Sequence, residues 1–348
     1  MIVHANPHRS RHPVLLAAIL ALGVQTVLAG PAAAQVVVKL ASLVPDGSAW
    51  DMILEDQVHA WEHDTGGRLE VRVYPGGVAG DDPAVIRKMR IGQFQAAGVT
   101  FQGLSEIDAG FRIFVLPLFY ASQEELEYVV QKLDPILRRR LEDRGFVLLN
   151  WAYVGWGRFY SKKPIRTPDD LRAQKLFLWG GDDQEMRIYR SHGLEPVGVA
   201  GTDVTLALET GMIECIATTP AVALTFQWFR QVPYQMDEPL APLVGATIMT
   251  RKVWDGLSEP DRAAILRASA HAQQRYAEEL PVQDARAIAA MEERGLVRTT
   301  MAPESRAEWE RLAAAMAQEN RGTLIPADVF DAALSARNEF RARHGGSR

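Results

Sequence analysis

His59-Ala60-Trp61-Glu62-His63 sets two imidazoles four residues apart with a glutamate between them. On a helix, that pair could grip one zinc ion if a third ligand came from elsewhere, as in one class of metalloprotease. The helix itself argues against it. Trp50, Ile53, Leu54, Val58 and Trp61 recur at helical spacing and form the core-facing stripe. At about 100° per residue, His59 and His63 lie roughly 140° and 180° around from Leu54, toward water. The expectation is two solvated histidines. The single cysteine, Cys215, stands inside Ile213-Glu214-Cys215-Ile216-Ala217, with no histidine close in sequence. It reads as a small buried hydrophobe. The sequence holds no G-x-S-x-G, phosphate-cradling loop or dinucleotide fingerprint. Gly76-Gly77-Val78-Ala79-Gly80 lacks the Lys-Ser/Thr ending and reads as a turn. These residues point to binding rather than catalysis, with no cofactor, no metal and no enzyme activity expected.

The aromatic residues carry more. Trp50, Phe101, Tyr153, Trp156, Phe159, Phe177, Trp179 and Trp228 fall near the ends of expected strands or in the loops beyond them. Open α/β sheets bind ligands outside the carboxyl ends of their strands. A small-molecule pocket is mostly apolar with a few placed polar groups, and Ser48, Thr100, Gln102, Arg158, Thr218 and Thr219 are candidates for that polar share. The competing reading for any one aromatic is plain core.

The elements that would position them follow an α/β pattern. Val36 to Leu43 reads as a strand, and Ser48 opens a helix. Leu69 to Tyr74, Ala96 to Val99 and the long apolar run Phe146 to Tyr153 read as further strands, with Gly155-Trp156-Gly157 loosening the chain beyond the last. Thr167-Pro168-Asp169-Asp170 is a helix start with a capping box. Lys175 to Trp179, Pro196 to Val199 and Ile213 to Ala217 are strands. A long helical segment runs from Ser258 to Glu293, interrupted at Pro281, where a kink is expected, and two more helices follow near Glu304–Asn320 and Pro326–Arg341.

With 348 residues, two lobes are expected rather than one. A net charge of −5 supplies no basic footprint for nucleic acid, and one cysteine permits no internal disulfide. Residues 1–34 read as a secretory signal. Arg9 and Arg11 precede an apolar run from Pro13 to Ala29, and Ala32-Ala33-Ala34 offers cleavage after Ala34. The expected product is periplasmic and does not span the membrane.

From about Val37 to Trp254 the chain resembles the solute-binding proteins of TRAP (tripartite ATP-independent periplasmic) transporters, the DctP-type family. The likeness rests on Leu40-Ala41-Ser42 through Trp50, Tyr74-Pro75-Gly76-Gly77 with Met89-Arg90-Ile91-Gly92-Gln93, Trp156 through Ser161 with Lys163-Pro164-Ile165, Thr167 through Leu171, and Leu206 through Glu214. The resemblance implies a periplasmic-binding-protein fold, with lobe I at 35–157 and 246–282, lobe II at 158–245, and a helical region, 283–348, packing across both. It implies capture of a small-molecule ligand and delivery to a small and a large TRAP-type membrane subunit. Many family members clamp a carboxylate with an arginine on the strand after the Thr-Pro-Asp-Asp-Leu helix. Phe177 stands at that position here. A second family arginine is matched by Arg158, and a family asparagine by Thr218. Removing an Arg–carboxylate contact forfeits about 1.5–3 kcal/mol, while Phe adds apolar surface. The ligand expected is hydrophobic or amphipathic, with Arg158 available for an anionic head. A periplasmic sensor input and, less favoured, a periplasmic hydrolase are the alternatives. A lone sensor-kinase gene nearby would favour the first, and turnover sensitive to Cys215 alkylation the second.

Overall fold

Ten strands carry the architecture: β1 (Val36–Ser42), β2 (Leu69–Tyr74), β3 (Ala96–Thr100), β4 (Phe146–Ser161), β5 (Lys175–Trp179), β6 (Glu195–Val199), β7 (Cys215–Thr218), β8 (Tyr234–Met236), β9 (Ala241–Thr250) and β10 (Val297–Thr299). The computed structural model describes residues 1–2, 35–180 and 183–344. The leader and cleavage site expected over 1–34 lie outside the described residues, save Met1 and Ile2. Among the described residues no helix is long and apolar enough to cross a membrane.

Strand order is β2-β1-β3-β9-β4-β7-β5-β6, with β8 beside β4 and β10 beside β8. In one lobe β1 pairs in parallel with β2 and β3. In the other, β5 pairs in parallel with β6 and β7. The antiparallel pair β4 and β9 runs between these groups: Gly98 of β3 faces Thr247, Trp156 faces Pro242, and Arg158 faces Thr218 of β7. The fold is the expected two-lobed α/β arrangement.

One boundary differs. The sequence suggests that β4 loosens after Tyr153, whereas the strand runs on through Gly155-Trp156-Gly157 to Ser161. A register shift between Tyr153 and Gly155 absorbs the disturbance. Gly155 sits at φ +123, and a Cβ there would come within 2.5 Å of the Asp284 carboxylate. Glycine here therefore bulges a continuous strand rather than ending it.

Local signals explain the helices. Thr167 and Asp170 form the expected reciprocal cap: Asp170 N donates to Thr167 Oγ1 at 3.3 Å, and Thr167 N donates to Asp170 Oδ2 at 2.8 Å. The helix Glu259–Glu292 continues through Pro281 and packs against the first helix, Ala49–Asp64, against β4, and against the short helix Pro220–Thr225. A buried polar cluster fixes its first half, with Gln57 Nε2 donating to Asn150 Oδ1 at 2.7 Å and to Ser269 Oγ at 3.0 Å. These directed bonds favour one register where apolar packing alone would allow several. Farther along, Asp284 accepts from the Ala221 N–H at 3.0 Å. One helix thus engages both lobes.

Candidate functional site

The carboxyl ends of both parallel groups converge on a cavity of about 430 Å³. Leu43 to Pro45 follow β1, Thr100 ends β3, Phe177 to Trp179 finish β5, Gly201 and Thr202 follow β6, and Thr218 ends β7. The aromatic wall is built by contact between these ends. Trp179 meets Phe177 at 5.6 Å and Phe101 at 6.3 Å between ring centroids, both edge-on. Phe226 and Trp228 stack at 4.9 Å. Edge and offset contacts are the favoured geometries of aromatic rings. Gly201 makes room for the wall, since a Cβ there would lie 2.4 Å from Trp179 Cζ3.

Several polar groups of this wall are engaged. Thr100 caps the helix Phe101–Ile107, accepting from Gln102 N at 3.1 Å and donating to Asp82 Oδ2 at 2.6 Å. Burial pushes the Asp82 carboxyl up to about 6, although bonds from Thr100 and Gly103 hold it down in part. Trp228 Nε1 donates to Thr205 Oγ1 at 2.9 Å. Trp50 is 5% exposed, and its indole nitrogen meets no acceptor. Among the described lining residues Glu185 is the only charged one, and it pairs with Arg112 at 3.0 Å.

The structure divides the residues singled out from the sequence into two groups. Trp50, Phe101, Phe177, Trp179 and Thr218 line the large cavity, together with Thr100, Phe159 and Trp228. Tyr153, Trp156 and Arg158 line a second cavity of about 380 Å³ between β4 and the long helix, near Tyr276, Pro281 and Asp284. There Arg158 Nη1 donates to the Asp237 carbonyl at 2.5 Å, and Trp156 Nε1 donates to Gln123 Oε1 at 3.2 Å. Burial raises the Asp284 carboxyl to about 6, against the opposing pull of the Ala221 and Trp156 N–H groups and the Arg158 charge. Gln102 and Thr219 are buried beside the large cavity's wall residues Phe101 and Thr218 in sequence; Thr219 caps the helix Pro220–Thr225. Ser48 caps the first helix, accepting from Asp51 N at 3.3 Å.

The remaining chemical candidates are placed as their surroundings dictate. His59 and His63 are exposed. Cys215 is fully buried, and burial pushes its thiol up, which disfavours the nucleophilic thiolate. Asp46, Asp51 and Glu55 bring one carboxylate oxygen each within 4.8 Å of the others, with Asp46 and Glu55 exposed to water. Besides β9, whose Ala241, Leu243 and Val244 line it, two contributions to the cavity escape sequence reasoning. One is the face Trp309, Leu312, Ala313 and Met316 of the helix Arg306–Asn320. Its helical spacing is visible, but the same spacing describes any core-facing helix. The other is the Gly76-Gly77 turn, which lines the wall.

Comparison with known proteins decides the family. The sequence model of bacterial extracellular solute-binding protein family 7 (DctP) matches residues 40–321. The chain belongs to that family. Family 7 comprises extracytoplasmic solute receptors rather than enzymes. A solute-binding protein of Chromohalobacter salexigens is 25% identical over 228 residues, covering 65% of this chain and 66% of the relative. The sialic acid-binding periplasmic protein SiaP of Vibrio cholerae is 22% identical over 248 residues, 66% of this chain and 72% of its own length. Among solved structures, DctP7 of Bordetella pertussis, which binds pyroglutamic acid, superposes with TM-score 0.79 at 22% identity, covering 87% of this chain and 99% of its own. The sugar acid binding protein DctPAm of Advenella mimigardefordensis, in complex with galactonate, gives TM-score 0.81 at 16% identity, covering 88% and 99%. At these identities the structures establish the shared two-lobed fold of family 7.

Proposed function

We propose that this family 7 protein captures a hydrophobic or amphipathic organic solute in the periplasm and delivers it to TRAP-type small and large membrane subunits. The observation that carries the reading is the wall of the large cavity, in which Phe177 stands where the family resemblance puts a carboxylate-clamping arginine. Pyroglutamate and galactonate, the ligands of the two structural relatives, are small polar acids. A carboxylate moved from water into an apolar cavity without a cation forgoes several kcal/mol of solvation. Apolar surface entering the same space gains about 25 cal/mol per Å². Trp50, Phe101, Phe177 and Trp179 supply contact area without asking the ligand for charge.

The mechanism is closure. A ligand seated among β1, β3, β5 and β7 touches both lobes only when they are together, so binding favours the closed state by the difference in contact. The Gly155 bulge in β4 and the long helix, which engages both lobes, are the elements that would bend. Trp179, held over Gly201, and Phe101 meet edge-on at 6.3 Å, a contact that supports the closure reading.

The test is mass spectrometry of small molecules extracted from protein purified out of the periplasm without added ligand. A stoichiometric apolar or amphipathic molecule is expected. A retained sugar acid, or tight binding of galactonate with none for apolar probes, would overturn the reading.

A further inference from the structure

We propose that the Arg112–Glu185 ion pair is a lock between the lobes, which forms as they close over the large cavity and sets the balance of open and closed states. This lock rests on the closure proposed above and is independent of the solute's chemistry. Arg112 belongs to the lobe of β1 and β3. It stands on the 3₁₀ turn Ala109–Val115, whose Phe111, Ile113 and Phe114 are buried in one apolar cluster with Ala97 and Val99 of β3 and Trp151 of β4. Glu185 belongs to the lobe of β5 and β7. It stands on the helix Asp183–Ser191, whose Ile188 is buried with Leu176 of β5 and Cys215 of β7. Each partner is thus fixed by a separate core, and Arg112 Nη1 donates to Glu185 Oε2 at 3.0 Å from one lobe to the other. By contrast, Arg341 and Glu125, at 2.8 Å, join the helices Ala327–Arg343 and Gln123–Glu142, which share a single apolar cluster.

The lobes are together in this structure. Phe101 and Trp179 meet from opposite sides, and a Cβ at Gly77 would lie 3.6 Å from Thr202 Cγ2. In that state the Arg112 and Glu185 side chains are 14% and 16% exposed, and Glu185 lines the cavity. Parted, each would be solvated by water and neither would need the other. Brought together, each loses most of its water, so a charge without its partner would make closing costly. With the partner in place, a charge-assisted hydrogen bond offsets that loss. The pair therefore acts on closing. Its logic is matching: neutralising one partner penalises closure, whereas neutralising both removes the charge and the penalty together.

The test is double electron–electron resonance between spin labels at Ile91→Cys, 71% exposed on the first lobe, and Met212→Cys, 55% exposed on the second. Cys215 is fully buried and takes no label. The protein is stripped of retained solute by refolding from guanidinium, and each variant is checked for an unchanged far-ultraviolet circular dichroism spectrum. Two distance populations are expected in the wild type. Glu185→Gln and Arg112→Gln should each lower the closed-to-open ratio about fivefold. The double variant should return to within about twofold of the wild type, because no charge is then left alone. A ratio unmoved in both single variants overturns the lock and leaves closure standing. A double variant whose ratio falls by the product of the two single effects overturns the pairing, since independent residues behave that way. One distance population, the same in every protein, overturns closure and the lock with it.

Discussion

Replacing Asp284 with Asn tests whether the second cavity is as dry as its lining suggests. Asp284 carries an ordinary carboxyl value of 3.8 that burial raises to about 6. The folded protein therefore holds this proton more tightly than the unfolded chain does. The resulting stabilisation is complete below about pH 3.8 and is lost as pH rises through about 6. Over the whole window the shift of about two units corresponds to about 3 kcal/mol. Between pH 5.0 and 7.5 the same linkage predicts a loss of about 1.4 kcal/mol from this one group. Asp284→Asn keeps a carbonyl oxygen for the Ala221 N–H but has no proton to release. Urea unfolding at several pH values, on both proteins, gives the answer. The wild type should lose about 1.4 kcal/mol more than the variant between pH 5.0 and 7.5. Asp82, also held near 6, contributes to both proteins and cancels in the difference. Parallel stability curves for the two proteins would refute the reasoning, because they would mean that Asp284 titrates as a solvated acid.

Three further outcomes follow from the large cavity and its neighbour. Gly201→Ala places a methyl 2.4 Å from Trp179 Cζ3, so it should cost about 1–3 kcal/mol in urea unfolding and weaken an apolar ligand by displacing Trp179. Phe177→Ala truncates a side chain that is 8% exposed; about 3 kcal/mol of stability should be lost, with apolar-probe affinity falling in calorimetry. Arg158→Ala should leave the affinity of an uncharged probe within twofold. If an anionic head does reach Arg158, the same substitution weakens that ligand by about 1.5–3 kcal/mol, and calorimetry on a matched ketone and carboxylate separates the cases.

Much of the fold was legible because its cues are local. Alternation and turns mark β1, β2 and β3, the capping box marks the helix at Pro168–Arg172, and the strand ends of an α/β sheet are where ligands gather. Phe177, Trp179 and Thr218 could be placed at the cavity from those cues alone. Arg158 could not be assigned a face. Which side of β4 it takes depends on whether the strand survives Gly155-Trp156-Gly157 and on the register shift at Tyr153. A single-residue slip moves every following side chain to the opposite face. Phe159 thus reaches the large cavity while Arg158, its neighbour, reaches the second. The carboxylate whose charge Arg158 feels across the second cavity was equally hidden, because Asp284 lies in a helix far along the chain and carries no motif. β9 escaped notice for the opposite reason. It is central in the sheet and buried along most of its length, so Ala241–Thr250 has no alternation to betray it.

The cavity wall shares that ambiguity, and the ambiguity has a physical content. Trp50, Phe177 and Trp228 are each less than 9% exposed and pack within one apolar cluster, so by burial alone they are core. What separates wall from core is what the ring faces: Trp50, Phe177 and Trp228 border the large cavity. Trp61 is enclosed by protein and donates to Ser269 Oγ at 3.2 Å. Trp50 has its ring in the wall and its N–H without an acceptor. That difference cannot be written in a pattern of residue types, since both are tryptophans on one face of one helix. It appears only when β1, β3, β5 and β7 bring their ends together and leave one of the two tryptophans bordering the cavity.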